Sequence, residues 1–385
     1  MIVGASVAGL ATACALAQSG WGVTLLERRP DLSEGGQAFL LQPNGLAALE
    51  RLGALDWVRE RGLEIGRVLM HESGRRLSAT YDYRELRHSH PFVIEIRPQA
   101  LRAALAERAE ELGVPAPRFG SEVVDLVRHG ASVAGALCAD GAEVTGDIVV
   151  GADGRAARTR EALGIACRRV GRPSAYVLGT VDVTRDTRDL HVYCGNGYAD
   201  GVCPLPDGTY FWDCVTDQNR RAVEAHNLDG WRETYERRVP CAGEFVGPIR
   251  NWSELWEVEV RPFWAVGRVA PGAVLVGDAA GSVHPHAAQG ANLALEDAAD
   301  LGAALASHPR SPDPPAELLR DFARARHRKL RRYVVWSLAA AASLDGPSAM
   351  WRVVRRQGFR NASIPPLRRS VLRAQAGLAG PLSRV

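Results

Sequence analysis

Short apolar runs lead into alanine- and leucine-rich stretches at several places along the chain, and this pattern predicts buried strands that are followed by helices. The predicted strands of this kind are residues 1–3, 23–27, 147–150 and 273–276. The predicted helices are residues 10–19, 45–52, 98–112 and 293–301, with a further helix that ends at Leu163. Alternation of strands and helices is typical of an α/β domain with a parallel sheet.

The middle of the chain has a different pattern, because it holds most of the aromatic residues in short runs with strand-like alternation. The predicted strands there are residues 176–183, 191–194, 209–215 and 256–261. Residues 63–93 show a similar pattern with breaks at Gly66, Gly74 and Pro91, which predicts a hairpin that leaves the first domain. Residues 316–344 predict a long helix.

These patterns predict an α/β fold with a Rossmann-like, discontinuous nucleotide-binding domain, a sheet-based second domain and C-terminal helices. The nucleotide-binding domain is assigned to residues 1–65, 94–165 and 265–310, and the second domain to residues 66–93 and 166–264. Residues 311–385 form the helical region with a basic tail, entered through the proline-rich residues 311–315. Residues 346–385 carry eight arginines and no acidic residue. We interpret them as a solvated face or a tail on acidic parts of the same protein, with contact to a membrane surface as the alternative.

Charge and cysteine content exclude several classes of function. Lys and Arg number 47 against 44 Asp and Glu, and the net charge of +3 is too small to indicate a nucleic-acid partner. Lys329 is the only lysine, so a chemistry that needs a reactive lysine has one candidate. The seven cysteines are scattered without a Cys-x-x-Cys pair, which argues against a disulfide framework or a metal site. A reducing, cytoplasmic location is therefore expected.

The first strand–helix junction carries a dinucleotide-binding pattern. Gly4, Ser6 and Gly9 occupy the three positions of a G-x-G-x-x-G loop, and Glu27 stands at the end of the next predicted strand. In such a loop the first glycine makes a tight turn, the second position faces a pyrophosphate and the third lets the helix pack on the strand. Serine at the middle position crowds the phosphate, but its hydroxyl can donate a hydrogen bond to it. The acidic residue is expected to bind ribose hydroxyl groups.

Two further junctions repeat the architecture of a buried strand, a carboxylate and a helix start. Residues 151–154 contain Asp153 and Gly154 after the strand at 147–150. Gly277 and Asp278 follow the strand at 273–276, and residues 279–292 form a loop of small residues that opens the next helix. A helix N-terminus has unpaired N–H groups and a partial positive charge, so this loop suits a polyol-linked ring whose electron-rich edge faces the helix.

The three motifs, in this order, resemble those of the single-component (group A) FAD-dependent monooxygenases, the family of para-hydroxybenzoate and salicylate hydroxylases. The resemblance covers about residues 1–330. It implies that FAD is bound, that NADPH or NADH is the co-substrate, and that O2 is activated as a flavin C4a-hydroperoxide to hydroxylate an aromatic or polyketide-like small molecule. It also identifies the first domain as FAD-binding and the second as substrate-binding.

The resemblance assigns roles to particular positions. Glu27 would bind the adenosine ribose, Asp153 would support the pyrophosphate and the nicotinamide, and Asp278 would bind the ribityl chain. The expected cofactor-binding residues are Gly4, Ser6, Gly9, Glu27, Arg28, Arg97, Asp153, Gly154, Gly277, Asp278, Pro285, Ala288, Gln289, Gly290, Ala291 and Asn292.

Catalytic and substrate-contacting residues are less constrained by the sequence. Pro285 would line the flavin near its reactive carbon, and His284 and His286 beside it are candidate bases, with backbone-bonded loop histidines as the alternative. The candidates for the aromatic pocket are Tyr193, Tyr198, Phe211 and Trp212. Aromatic residues at strand spacing are otherwise core residues.

Three other functions are alternatives. A flavin-dependent halogenase would need a lysine in the nucleotide-binding domain, whereas Lys329 lies outside it. An isoprenoid reductase or dehydrogenase would turn over without inserting oxygen. A catalytically inactive FAD-binding protein would fit the short first strand and Ser6. A monomer or a homodimer is expected.

Overall fold

The structure is a computed structural model that describes residues 1–33, 37–72, 76–306 and 316–378. Its strands are β1 (Ile2–Val3), β2 (Leu25–Leu26), β3 (Phe39–Leu41), β4 (Leu63–Ile65), β5 (Arg67–Glu72), β6 (Arg76–Asp82), β7 (Val93–Ile96), β8 (Val123–His129), β9 (Ser132–Cys138), β10 (Glu143–Thr145), β11 (Val149–Gly151), β12 (Cys167–Arg169), β13 (Ser174–Val181), β14 (Asp189–Cys194), β15 (Ala199–Leu205), β16 (Gly208–Cys214), β17 (Trp256–Val260), β18 (Phe263–Ala265), β19 (Val269–Ala270), β20 (Ala273–Leu275) and β21 (Gly281–Ser282).

Helices lie between these strands and at the C-terminal end of the described chain. They are α1 (Val7–Gln18), α2 (Pro43–Leu52), α3 (Leu55–Arg61), α4 (Pro98–Glu111), α5 (Arg158–Ala162), α6 (Arg220–Glu224), α7 (Leu228–Arg238), α8 (Gly243–Val246), α9 (Gly290–Ala306), α10 (Ala316–Asp345), α11 (Ala349–Asn361) and α12 (Pro365–Gln375). The break at Gly74 and the proline-rich residues 311–315 predicted above lie outside the described residues.

A parallel sheet forms the centre of the first domain and confirms the α/β class. Its strand order is β19-β20-β11-β1-β2, and the last four strands run parallel to one another. Ile2 pairs with Val150 on one side and with Leu25 on the other. The strands have two or three residues each, because the chain turns into a loop as soon as it reaches the edge of the sheet.

Helix α1 is buried along most of its length, as its alanine-rich sequence requires. It packs against α4 and α9. At Gly302 of α9, an added Cβ would lie 2.7 Å from the Cβ of Ala15, so the two helices approach at a distance that only small residues allow. This contact brings α1 and α9 side by side over the sheet, so that the N-termini of both helices lie near its edge.

The region assigned to the second domain forms a seven-stranded sheet, called the second sheet, with the order β17-β13-β16-β15-β14-β5-β6. The four strands predicted there correspond to β13, β14, β16 and β17 and agree with them to within two residues at each end, whereas β15 was not predicted. The hairpin predicted within residues 63–93 is β5–β6, and β5 pairs in parallel with β14. Helices α6 to α8 contribute to the core on one face of the sheet, and the other face is turned toward a large cavity.

The C-terminal region departs from the prediction of a basic tail. Two helices, α11 and α12, pack on the second sheet, and Phe359 and Leu372 join its core. Part of the interpretation is confirmed, because Arg356 pairs with Glu72 at 3.2 Å and Arg368 pairs with Glu85. The error arose because a helix rich in arginine can still bury one apolar face.

Within the part of the chain that the structure describes, none of the helices combines the length and apolar character that crossing a membrane requires.

Candidate functional site

The predicted acidic and glycine-rich junctions stand in a row at one edge of the parallel sheet. Parallel strands present their carboxyl ends at the same edge, so the order β20-β11-β1-β2 places Asp278, Asp153, Gly4 and Glu27 one after another. Neighbouring strands are about 4.8 Å apart, so the four tips extend over roughly 14 Å. A single elongated ligand can contact all of them, as ligands of open α/β sheets do.

The first loop is held closely against the neighbouring strand tips. Gly4 has a φ of +100°, and an added Cβ would lie 2.7 Å from the carbonyl oxygen of Ala152. An added Cβ at Gly9 would lie 1.8 Å from the carbonyl oxygen of Gly4. Glycine is therefore required at both positions, as the dinucleotide pattern predicted.

Glu27 and the start of α1 lie beside this first loop. The Ala5 N–H donates to the Glu27 carboxylate at 2.7 Å, which fixes the acid of β2 beside the loop that follows β1. Ser6 donates its hydroxyl to the carbonyl oxygen of Ala152 at 3.3 Å instead of capping α1. The first turn of α1 also contains no acidic residue, so the end of the helix suits an anionic group. Arg28, the next residue after Glu27, is exposed.

Asp153 is turned toward the start of α5. Its carboxylate accepts hydrogen bonds from the backbone N–H of Thr159 at 2.9 Å and from the Thr159 hydroxyl at 2.6 Å. Burial raises the pKa of Asp153, and the two hydrogen bonds act in the opposite direction. Gly154 follows with a φ of +81°. The junction after β11 is thus a rigid turn, which the local sequence already indicated as an Asp-Gly turn.

Asp278 lies at the tip of β20 and lines the large cavity together with Arg155. Burial raises the pKa of Asp278, while Arg155 favours its ionised form. The preceding Gly277 donates its N–H to Asp297 at 2.9 Å. Asp297 is itself fixed by Arg268 at 2.8 Å and Arg326 at 2.5 Å. The turn that carries Asp278 is therefore tied to a buried charge network that joins α9, α10 and the sheet.

The loop before α9 forms the next part of the cavity wall. Ala288 has a φ of +47°, and an added Cβ at Gly290 would have nothing within 4 Å. Gln289 donates to the carbonyl oxygen of Gln375, and the Asn292 amide donates to the carbonyl oxygens of Leu40 and Ala288. Side chains of this loop thus brace its backbone, while Ala288 to Ala291 face the cavity.

The cavity has a volume of about 810 Å³ and is enclosed by the α9 loop, the second sheet and the C-terminal helices. Its size is within the ~300–1,000 Å³ range of small-molecule sites. The aromatic residues in its wall are Phe39, Tyr81, Tyr83, Tyr176, Tyr210, Trp212, Trp336 and Phe359. The contribution of α11 and α12 was not predicted, because their arginine content indicated a surface.

Of the four aromatic residues predicted for the pocket, Trp212 lines the cavity. Tyr193 and Phe211 instead belong to the core that α6 to α8 cover on the opposite face of the sheet. Tyr198 stacks its ring against Arg238, with the guanidinium carbon 4.7 Å from the ring centroid. Successive residues of a strand point to opposite faces, and the sequence did not show which of the two faces the cavity.

The two histidines beside Pro285 have different environments. His284 is buried and contacts the Ser174 hydroxyl at 3.1 Å and the Tyr176 hydroxyl at 3.3 Å. Burial, with a contribution from His286, lowers the pKa of His284 to about 3, so its imidazole is neutral near pH 7. His286 lines the cavity with Pro285, and its Nε2 is 3.3 Å from Asp345.

Arg97 occupies the junction between β7 and α4, as predicted. Its guanidinium pairs with Asp207 at 3.0 Å and with Asp182 at 3.4 Å, two residues of the second domain. Arg97 therefore connects the β7–α4 junction to loops at the end of the second sheet. The partners lie about a hundred residues away along the chain, so no local pattern indicated them.

Glu95 is a residue of the cavity wall that the sequence analysis did not single out. It is 2% exposed, and one of its carboxylate oxygens, Oε2, has no hydrogen-bond partner among the described residues. Burial raises the pKa of Glu95 to about 8, although the Cys203 thiol beside it favours the ionised form. A signal was present, because Glu95 is the one acidic residue of the otherwise apolar strand Val93–Ile96.

Replacement of Glu95 by glutamine is expected to stabilise the protein at pH 8 but not at pH 4.5. The folded pKa of about 8 lies above the unfolded value of 4.5, so the contribution of Glu95 to stability is fully present below pH 4.5 and is lost as the pH rises to about 8. Glutamine does not titrate, and the gain could reach roughly 4 kcal/mol. Urea unfolding at several pH values measures the difference. Glu64→Gln, on the neighbouring strand, is the control, and equal pH curves for both variants would contradict the prediction.

Comparisons with known proteins agree with this geometry. The profile of a family described as "FAD binding domain" matches residues 1–337. The chain is 30% identical to 6-methylpretetramide 4-monooxygenase of Streptomyces rimosus, over 97% of this chain and 90% of that protein. It is 28% identical to 3-hydroxybenzoate 6-hydroxylase 1 of Aquipseudomonas alcaligenes, over 89% of this chain and 88% of that protein.

Solved structures share the fold. Pseudomonas aeruginosa PqsL in complex with 2-aminobenzoylacetate has a TM-score of 0.82 at 23% identity, with 94% of this chain and 98% of that chain covered. Klebsiella pneumoniae HpxO complexed with FAD and uric acid has a TM-score of 0.82 at 20% identity, with 99% and 97% covered.

Proposed function

This chain belongs to the FAD-dependent aromatic hydroxylases, and from that premise we propose that it hydroxylates a phenolic, polyketide-like aromatic compound with NAD(P)H and O2. The observation that carries the proposal is the continuity of the site. The large cavity begins at Asp278 and the α9 loop, at one end of the row of strand tips, and continues between the second sheet and the C-terminal helices. A cofactor along the row and a substrate in the cavity would therefore meet at the α9 loop.

The residues along the row suit FAD. We propose that Gly4, Ser6 and Gly9 accommodate its pyrophosphate at the uncapped start of α1, and that Glu27 binds the adenosine ribose. Asp278 would accept hydrogen bonds from the ribityl hydroxyl groups. When bound, the flavin supplies the electron transfer from NAD(P)H and the activation of oxygen.

The start of α9 provides the other end of the proposed cofactor site. We propose that Ala288 to Asn292 present backbone N–H groups to the electron-rich edge of the flavin ring. The open space beside Gly290 and the absence of acidic residues in the first turn of α9 support this assignment.

Four residues are assigned supporting roles. Asp153 and Gly154 form the rigid turn after β11, and we propose that this turn supports the pyrophosphate and the nicotinamide. Arg28 and Arg97 are the proposed cationic contacts to the phosphates, and Arg97 would also keep the second domain in place through Asp207.

The protein's own contribution to the reaction is to position the ring, exclude water and hold protons. His286 lines the cavity beside Pro285 and is placed to exchange a proton with a bound substrate. His284 is buried and neutral, and its contacts with Ser174 and Tyr176 orient the loop. Trp212 and the other aromatic residues of the wall would stack on the substrate.

The halogenase alternative is not favoured. The only lysine, Lys329, is on α10, where it pairs with Glu296 of α9 at 2.5 Å. Glu296 also pairs with Arg326, so Lys329 belongs to the charge network between α9 and α10. The residues that line the large cavity do not include Lys329.

Purification of the protein and a screen of aromatic compounds test the proposed function. A yellow protein with a flavin spectrum is expected, and phenols or polyketide-like aromatics should stimulate NAD(P)H oxidation and gain one oxygen atom from O2. A product labelled from ¹⁸O2 distinguishes oxygen insertion from simple dehydrogenation. A colourless protein, or turnover without incorporation of oxygen, would contradict the proposal.

A further inference from the structure

We propose that Glu95 anchors the substrate, and that its carboxyl group hydrogen-bonds a hydroxyl or carbonyl group of an uncharged, multi-ring phenol in the large cavity. The inference rests on the proposed function and adds to it a recognition residue and a charge class for the substrate.

The strand that carries Glu95 separates two cores. Ile94 and Ile96 point into the core of the nucleotide-binding domain, whereas Val93 joins the core of the second domain around Met70. Alternation along β7 places Glu95 on the same side as Val93, and Glu95 is part of the cavity wall. The carboxyl group thus enters an apolar region from the domain that binds the cofactor.

The surroundings of Glu95 leave one of its oxygens for a ligand. Glu95 is nine-tenths or more buried, the Cys203 thiol is its one hydrogen-bonding neighbour that the structure describes, and Oε2 has no partner. Tyr210 of β16, which pairs with Cys203 of β15, is close enough to interact with Glu95 electrostatically. A buried polar atom without a partner costs about 1–3 kcal/mol, and a ligand that supplies the missing hydrogen bond recovers that amount.

The protonation state of Glu95 favours an uncharged partner. With a pKa of about 8, the group is mostly a neutral carboxylic acid at pH 7, which can donate one hydrogen bond and accept others. A neutral acid can pair with a phenol or a ring carbonyl. A carboxylate ligand would have to give up its hydration in this largely apolar cavity, which is costly unless a cationic side chain pairs with it.

The arginines and the histidine described in the wall do not offset this desolvation cost, because each of them already lies near an acidic group. Arg155 interacts with Asp278, Arg355 lies 3.9 Å from Glu72 and donates to the carbonyl oxygen of Leu344, and His286 lies beside Asp345. A carboxylated aromatic compound would have to compete with these partners. The cavity therefore discriminates by charge as well as by shape.

The extent of the cavity indicates more than one ring. Its wall extends from Asp278 to Glu95 and on to Phe359 and Leu367 of the C-terminal helices. Much of the wall between these points is aliphatic or aromatic, including Met70, Leu190, Val192 and Trp212. A polycyclic ligand would fill this apolar length, whereas a single ring would leave most of it unoccupied.

The proposed hydrogen bond between Glu95 and the substrate is tested by comparing two ligands, with and without a hydroxyl group, in two forms of the protein, with and without the Glu95 carboxyl group. Binding of 2-naphthol and of naphthalene to the yellow holoenzyme at pH 7 is measured by fluorescence quenching, for the wild type and for Glu95→Leu. The hydroxyl group should strengthen binding to the wild type at least ten-fold and should have no such effect in Glu95→Leu. Glu95→Gln should retain most of the preference, because an amide still donates and accepts, and Glu64→Leu is the control for loss of an acid from the same sheet.

The charge class is tested with 2-naphthoate, which has the same rings. The wild type should bind it at least ten-fold more weakly than 2-naphthol. The proposal is overturned if Glu95→Leu keeps the preference for the hydroxyl group, if 2-naphthoate binds as tightly as 2-naphthol, or if the wild type binds neither neutral ligand. Failure of the proposed function would look different, because it would give a colourless protein or no oxygen insertion with any aromatic compound.

Discussion

Replacement of Asp278 by alanine is expected to release most of the bound FAD. The carboxylate lies at the tip of β20, where the proposed cofactor site and the cavity meet. Hydrogen bonds between a charged group and hydroxyl groups contribute about 1.5–3 kcal/mol. The affinity should therefore fall roughly 10- to 100-fold. The FAD content after gel filtration and titration of the apoprotein with FAD both measure the effect.

The same substitution should not destabilise the apoprotein. Burial raises the pKa of Asp278, so its ionised form is unfavourable when no ligand is bound. The Asp278→Ala apoprotein should consequently unfold at the same temperature as the wild type or a higher one, while the variant mixed with FAD should lose most of the stabilisation that FAD gives the wild type. Asp217→Ala, which removes a fully exposed carboxylate, is the control. Full FAD retention in Asp278→Ala would count against the assignment of the site.

Replacement of Asp297 by alanine is expected to have the largest effect on stability. Asp297 is buried between Arg268 and Arg326, and it also accepts the N–H of Gly277. Burial opposes its ionisation, but the two guanidinium groups hold the pKa of Asp297 below its usual range. Removal of one partner from a buried ion pair costs about 3–5 kcal/mol, and here two cations would be left without their shared partner.

Urea unfolding of the apoprotein measures this loss, and the FAD content reports on the loop that carries Asp278. Because Gly277 would lose its anchor, Asp297→Ala should weaken FAD binding as well as the fold. Asp300→Ala is the matched control, since Asp300 pairs with Arg326 and Arg51 from a half-exposed position and should cost less than about 1 kcal/mol. A loss in Asp297→Ala no larger than that of Asp300→Ala would contradict the prediction.

The elements of the first domain could be predicted because their signals are local. A glycine pattern, an acid at a strand end and an alanine-rich helix each lie within about twenty residues of one another, as at Gly4 and Glu27. Once the strands are placed in one parallel sheet, the separate junctions must lie near one another, since the carboxyl ends of parallel strands lie at one edge.

The composition of the cavity wall could not be predicted, because it depends on contacts between distant parts of the chain. Phe211 and Trp212 are neighbours in the sequence, but they point to opposite faces of the sheet. Arg355 is buried against Glu72, almost three hundred residues away, although its sequence context is that of a basic surface. Glu95 did have a local signal, since a single acid in an apolar strand is expensive to bury without a purpose, and so did Asp278 and the loop before α9.

The pairing of β5 with β14 builds the second sheet from two segments that are far apart in the sequence. The paired residues are 122 positions apart, as between Arg67 and Asp189. The hairpin β5–β6 therefore precedes the other strands of its sheet by about ninety residues or more in the sequence. A fragment that began at residue 166 would leave β14 as an unpaired edge, which is a surface prone to aggregation. Replacement of this sheet by that of a related protein would therefore require two separate gene segments to be exchanged together.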